Sequence, residues 1–217
     1  MADKDSRAGS RYATAAILEY VDRLHAPHDS GLSAAFEAPA KEKMPAIQLG
    51  RSEAKFLELL LRVAGAKKVV EVGTLAGYSA IRIARALPMD GKLWTIELDP
   101  RHAEVARNAI AIAGQTANVE VLLGSALDVL PSLEQHGPFD AVFIDADKRN
   151  YDGYGRWAAK HLRRGGLLLG DNAYLFGKLL EPDPEAEAMR RFHEEAAKDF
   201  DTTCLPTPDG LLLGIKR

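Results

Sequence analysis

The residues best suited to chemistry are acids placed at the ends of short, β-prone apolar runs. The stretch VVEVGTLAG carries Glu71 just ahead of a glycine-bounded turn, Gly73-Thr74-Leu75-Ala76-Gly77, with Tyr78-Ser79 opening a helical stretch. Glycines allow positive φ and close approach of a ligand to the backbone. The G-x-x-x-G spacing nevertheless lacks the G-x-G-x-x-G of a pyrophosphate-binding loop. A carboxylate at that point repels phosphate and welcomes an ammonium group. The next run, LWTIEL, ends with Glu97, where an acid can accept hydrogen bonds from a ribose diol. Together they point to a nucleoside that carries a cationic amino-acid portion and no phosphate. S-adenosylmethionine (SAM) fits that description. Either acid alone reads as a turn cap or a solvated strand end.

A second set of acids follows. The run FDAVFI delivers Asp145, then Ala146-Asp147-Lys148, and the run LLLG delivers Asp171-Asn172. If the two runs are adjacent parallel strands, Asp145, Asp171 and Asn172 converge at one sheet edge. Two carboxylates and an amide oxygen make a hard, all-oxygen site that suits Mg²⁺, Mn²⁺ or Ca²⁺ and matches zinc poorly. Lys148, three residues past Asp145, can face the same cleft. A lysine beside a divalent cation has a depressed pKa, as a general base at neutral pH requires. The plainer reading is that Asp-Asn pairs cap helices and most lysines are solvated. The strand-end placement is what raises these residues above it.

These side chains need a scaffold, and the sequence supplies its rhythm. Apolar β-prone runs at 68–72, 92–98, 119–123, 139–144 and 167–170 alternate with helical stretches at 78–87, 100–113, 126–134 and 151–162. That alternation implies βαβ units and a parallel sheet. A helix over 184–198, a strand over 202–205, a Pro/Asp/Gly turn and a strand over 211–216 predict a closing antiparallel pair. Ahead of the sheet, 11–24 has helical spacing, 52–63 reads as a helix with Ser52 as N-cap, and 25–45 reads mainly as proline-punctuated loop.

Four segments resemble the cation-dependent O-methyltransferases of the caffeoyl-CoA and catechol type: VVEVGTLAGYSAIRIARALP, FIDADKRNYDGY, GGLLLGDN and LPTPDGLLL. The similarity runs in order from about Ile47 to the C-terminus, and the block DADK-x-NY followed by GG-x(4)-DN is specific to that family. The resemblance implies an α/β, Rossmann-like class I methyltransferase fold with a mostly parallel seven-stranded sheet and an antiparallel C-terminal hairpin. It divides a single 1–217 domain into an N-terminal helical lid, 1–46, and a SAM-binding core, 47–217. It assigns Glu71, Gly73, Thr74 and Ser79 to the cofactor's amino-acid end, Glu97 to the ribose and Ala126 to the adenine. Leu49 and Asp147 occupy further cofactor-contact positions. Asp145, Asp171 and Asn172 would be metal ligands, Lys148 the base, and the protein a homodimer acting on a small phenolic acceptor. Departures touch the acceptor side: Leu175 and Phe176 stand where the family often has tryptophan and a polar residue, and Glu53-Ala54-Lys55 where it often has E-G-Q.

Composition sets limits on this reading. The chain has 217 residues with 28 Lys and Arg against 31 Asp and Glu, so a net charge of −3 gives no global field for nucleic acid or anionic membrane. The single cysteine, Cys204, makes no internal disulfide, and no apolar run is long enough to span a bilayer. A soluble, reducing, cytoplasmic setting is expected. Three alternatives compete. Methylation of an RNA hydroxyl draws on the locally basic Lys148, Arg149, Arg156, Lys160, Arg163 and Arg164. A dinucleotide oxidoreductase is disfavoured by the missing glycine and by Glu71. A SAM-binding module without turnover is disfavoured by an intact acidic set. His25 and His28 lack a ligand cluster and read as solvated loop. Tyr151 and Tyr154 share a helical face or line the cleft.

Overall fold

Apolar runs that alternate with helices pair into one sheet, and that pairing decides which acids meet. The computed structural model describes residues 3–7 and 12–217, with the backbone alone at 6 and 7. A single turn, α1 (Lys4–Arg7), precedes α2 (Ala15–His25), α3 (Ser30–Lys41) and α4 (Arg51–Val63). Strand and helix then alternate through β1 (Lys68–Val72), α5 (Tyr78–Ala86), β2 (Lys92–Glu97), α6 (Pro100–Ile112), β3 (Val119–Leu123), α7 (Ala126–Leu133), β4 (Phe139–Ile144), α8 (Tyr151–His161) and β5 (Leu162–Gly170). The last helix, α9 (Pro184–Asp199), leads into the hairpin of β6 (Phe200–Leu205) and β7 (Leu211–Lys216).

The seven strands lie in the order β3-β2-β1-β4-β5-β7-β6. β1 to β5 run parallel, and β7 is antiparallel to both β5 and β6. This is the expected Rossmann-like α/β sheet with a reversed hairpin. Side chains alternate across it, as strand geometry requires. Val69, Phe143 and Leu169 join one core with Leu57 and Leu61 of α4 and Ile81 of α5. Val70, Val142 and Leu168 join the opposite core with Leu130 of α7, Tyr154 of α8 and Phe192 of α9. Coverage on both faces explains why these strands are so apolar.

The chain reverses its direction of travel across the sheet between β1 and β4, which opens a crevice beyond their carboxyl ends. Backbone bonds fix the depth of that edge. Gly73 N–H donates to Ile96 O at 3.0 Å, Asp145 N–H to Val72 O at 2.9 Å and Asp171 N–H to Ile144 O at 2.9 Å.

Four local expectations change. The 25–45 stretch contains α3, a full helix capped by Asp29, whose Oδ1 accepts from Leu32 N–H at 3.0 Å. Gly31 and Pro39 interrupt its helical signal, but Leu32 and Ala35 are buried in the core against α5 and α6. The N-cap of α4 is Gly50 rather than Ser52: Glu53 Oε2 accepts from Gly50 N–H at 3.0 Å, and Ser52 Oγ donates to Asp22. β5 begins at Leu162, where Arg163 Nε reaches Asp140 Oδ1 at 2.6 Å, and so takes over the end of the helix expected to 162. The helix expected over 11–24 is α2, starting at Ala15 behind the Thr14 cap; Arg11 lies outside the described residues, and no residue of α2 is buried.

Candidate functional site: a cleft at the carboxyl edge of the sheet

A cavity of about 890 Å³ occupies the crevice. Of the residues expected to bind cofactor, Leu49, Gly73, Thr74, Ser79, Glu97, Ala126 and Asp147 line it, together with Asp145, Lys148 and Asn172. They come from seven strand and helix ends, those of α4, β1, α5, β2, α7, β4 and β5, which the strand order brings to one space. Two expected residues do not line it. Glu71 is fully buried under the wall, and Asp171 faces an adjoining cavity.

Glu71 points to the α5 face of β1. Thr95 Oγ1, from the neighbouring β2, donates to its Oε2 at 2.6 Å, and the Thr74 and Thr95 hydroxyls are 2.6 Å apart. Its Oε1 is buried with no partner that meets hydrogen-bond geometry among the described residues. Burial lifts this carboxyl to about 8, against the pull of the Ser79 and Thr95 hydroxyls; Asp145 and Glu97 push the same way as burial. An orphaned acceptor of this kind fits a cationic amino group placed beside it.

Gly73 makes the close approach possible. Its φ is +99°, and a Cβ there would meet the carbonyl oxygen of Asp145 at 2.0 Å. Gly73→Ala combines backbone strain with a main-chain clash, an expected loss of roughly 4 kcal/mol, or about 10 °C in Tm. Thermal unfolding checks this; a change under about 2 °C would show that the strand ends can part freely.

Glu97 holds the turn as well as facing the cavity. Its Oε2 accepts from Thr74 N–H at 3.2 Å and Leu75 N–H at 2.8 Å, and its Oε1 from Asp99 N–H at 3.0 Å. The acid at the end of β2 therefore shapes the glycine turn that a ligand would meet. His102, whose Nδ1 lies 3.7 Å from Glu97 Oε1, is a cavity residue that sequence pattern does not reveal.

The second acidic set forms from β4 and β5. Burial raises the carboxyl of Asp145, with Lys148 pulling it down. Asp171 is pushed up to about 7, by burial first and the Asp145 charge next. A buried Asp171 raised by the charge of a half-buried Asp145 beside it is an arrangement that a cation between the two would stabilise. Among the described residues no three His, Cys, Asp or Glu side chains form a metal-holding group, so a cation here would depend on the two carboxylates, the Asn172 amide and water. Asn172 sits at φ +53°, a left-handed conformation that asparagine tolerates better than most residues.

Lys148 Nζ lies 3.3 Å from Asp145 Oδ1 and 3.0 Å from Tyr151 Oη. Tyr151 is fully buried, and its hydroxyl reaches the carbonyl oxygens of Ile144 and Asp171 at 3.1 and 2.9 Å. It is thus the post on which the lysine rests, a role hidden in sequence because helical spacing explains it equally well. Tyr154 lines the cleft and donates to Asp147 Oδ1. The loop after Asn172 is pinned by the β6–β7 turn: Asp209 Oδ1 accepts from Phe176 N–H at 2.7 Å and Asp209 O from Tyr174 N–H at 2.9 Å.

Other sequence features resolve. Four of the six basic residues are paired: Lys148 with Asp145, Arg149 with Glu185, Arg156 with Asp152 and Glu195, and Arg163 with Asp140. His28 is in a loop but only partly exposed: its Nε2 lies 2.8 Å from Tyr78 Oη, and burial lowers it to about 4. Cys204 is partly buried against the core on the α8 and α9 face.

Comparison with known proteins identifies the family. A family model described as O-methyltransferase matches residues 26–217. The chain is 45% identical over 182 residues to a catechol O-methyltransferase of Niastella koreensis, with 82% of each chain covered. It is 41% identical over 170 residues to a catechol O-methyltransferase of Mycobacterium tuberculosis, covering 78% of this chain and 77% of that one. Among solved structures it superposes with a TM-score of 0.88 on the O-methyltransferase TomG of Streptomyces achromogenes, in complex with SAM, at 37% identity over 93% of this chain and 96% of that chain. The chain belongs to the SAM-dependent O-methyltransferase family of the catechol and caffeoyl-CoA type.

Proposed function

We propose that the protein methylates one hydroxyl of a small catechol-like phenol, with a divalent cation held by Asp145, Asp171 and Asn172. Mg²⁺ is the first choice, Mn²⁺ or Ca²⁺ the alternatives. The observation that carries this reading is the acid pair, with buried Asp171 pushed up to about 7 beside half-buried Asp145, at the edge of the cavity that holds the glycine turn and Lys148. The paired basic residues favour a small acceptor over RNA. The reading includes a homodimer, as the family resemblance implies, and a cytoplasmic setting, and Pro45 and Ala46 on the cavity wall support a covering role for residues 1–46 over the 47–217 core.

When bound, SAM supplies an electrophilic methyl on a sulfonium, and the cation supplies Lewis-acid polarisation of neighbouring acceptor oxygens. The chain's own residues do the rest. Glu71 and Ser79 would take the amino-acid end, Glu97 the ribose hydroxyls, Ala126 the adenine edge, and Leu49 and Asp147 further contacts. Asp145 and Tyr151 hold Lys148 Nζ where it would take the acceptor hydroxyl's proton. Orientation of the acceptor in the cleft supplies acceleration that general acid–base chemistry alone does not.

Removal of divalent cations with EDTA is expected to lower catechol methylation by about 10²-fold or more, with recovery on adding Mg²⁺. Initial rates with labelled SAM measure this. Full activity in EDTA would remove the cation from the reading, and RNA methylation with steeply salt-dependent affinity would move it to the RNA alternative.

A further inference from the structure

A second cavity, of about 230 Å³, adjoins the proposed cation site. Leu49 lines both cavities, and the acid pair divides between them: Asp145 on the larger, Asp171 on the smaller. Its wall is largely hydrocarbon, from Phe56 and Leu57 of α4, Phe143 of β4, Leu205 of β6 and Leu211 of β7. The charged side chains that line it, among the described residues, are Glu53 and Asp171, with no lysine or arginine.

Resting on the methyl transfer proposed above, we infer that this pocket receives a neutral, apolar substituent on the acceptor ring and selects against an anionic one. Size, continuity and charge support the assignment. An apolar cavity of about 150 Å³ suffices for a benzene ring, so this one takes a short alkyl chain or a second small ring. A phenol bound at the Asp145–Asp171 edge lies beside the pocket that Asp171 lines, and Leu49 is wall to both cavities. A cation at that edge would offset the charges of Asp145 and Asp171, which leaves Glu53 as the fixed negative charge facing a carboxylate or phosphate. Burying an anion against Glu53 in a hydrocarbon wall, with no cation to pair it, is unfavourable. The pocket thus distinguishes two acceptor types within the family's range, neutral catechols and anionic phenolic acids or acyl-CoA phenols.

The test uses the full chain with Mg²⁺ and two readouts. One is kcat/KM for catechol, 4-butylcatechol, 3,4-dihydroxybenzoate and caffeoyl-CoA. The other is calorimetric binding of the same compounds in the presence of S-adenosylhomocysteine. We expect kcat/KM to rise about fourfold per buried methylene from catechol to 4-butylcatechol, and both anionic acceptors to fall at least about tenfold below catechol itself. Leu205→Trp, which fills the pocket, should lower the 4-butylcatechol to catechol ratio about tenfold. Phe56→Ala, at a half-exposed wall position, should lower the same ratio should the tryptophan variant fail to fold. Glu53→Gln should narrow the penalty on 3,4-dihydroxybenzoate by about tenfold. Equal affinity for catechol and 4-butylcatechol, or ratios unmoved by these variants, overturns the inference. Absence of catechol turnover would instead sink the methyl-transfer reading, and the binding ratios would still decide the pocket.

Discussion

Asp145→Ala is expected to lower kcat/KM for a catechol acceptor by about 10³-fold at saturating SAM and Mg²⁺. The carboxylate has two duties in one place: it would ligate the cation, and its Oδ1 holds Lys148 Nζ at 3.3 Å. Loss of polarisation at the reacting oxygen removes several kcal/mol of transition-state stabilisation, and each 1.36 kcal/mol is tenfold in rate. The fold should survive, because Asp145 is fixed to its neighbours through backbone bonds that alanine keeps. In cation-free protein the substitution should even raise Tm near pH 7, since the Asp145 charge is what pushes Asp171 up after burial. Calorimetric Mg²⁺ binding, thermal unfolding and steady-state kinetics separate these effects. A variant that keeps activity within about tenfold would place the cation elsewhere.

Glu71→Gln should produce opposite effects on stability and on cofactor binding. The buried carboxyl lies at about 8 in the folded protein against an ordinary 4.5. Its contribution to stability is therefore full below 4.5 and is lost as pH rises through about 8. Glutamine removes that loss, so the cofactor-free variant should gain Tm relative to the parent as pH climbs toward 8. SAM binding should behave the other way. An ammonium group favours the ionised acid, so the parent's affinity should rise up to about tenfold per pH unit toward pH 8 and then level. The variant should bind SAM about 30-fold more weakly at pH 8, with a flatter profile, having lost a buried charge partner. Isothermal titration across pH 6 to 9 provides the measurement, and a parent profile flat in pH would show that Glu71 does not meet the cofactor's charge.

Much of this site is legible in sequence because it is written in local patterns. An apolar run that ends in an acid and a glycine, as at Val69–Gly73, specifies a buried strand, its terminus and the turn beyond it without reference to distant residues. At Phe139–Asp145 and Leu167–Asn172 an apolar run ending in an acid likewise specifies a buried strand and its terminus. α3 is the counter-example: Gly31 and Pro39 weaken its local signal, and burial of Leu32 and Ala35 against α5 and α6 restores the helix. Gly50 displaces Ser52 as the cap because Glu53 folds back on it.

Tertiary structure alone decided what those strand ends do to one another. That β4 lies beside β1, and β5 beside β4, is a matter of pairing between segments far apart in sequence. The burial of Glu71, the elevation of Asp171 by Asp145, the Tyr151 post under Lys148 and the pocket beside Asp171 all follow from it. Hydrogen bonding along a run and its apolar period depend on near neighbours, so sequence by itself determined the elements and the types of residue at their ends. Charge, desolvation and cavity shape sum over atoms brought together from distant segments, so only the folded sheet could set them.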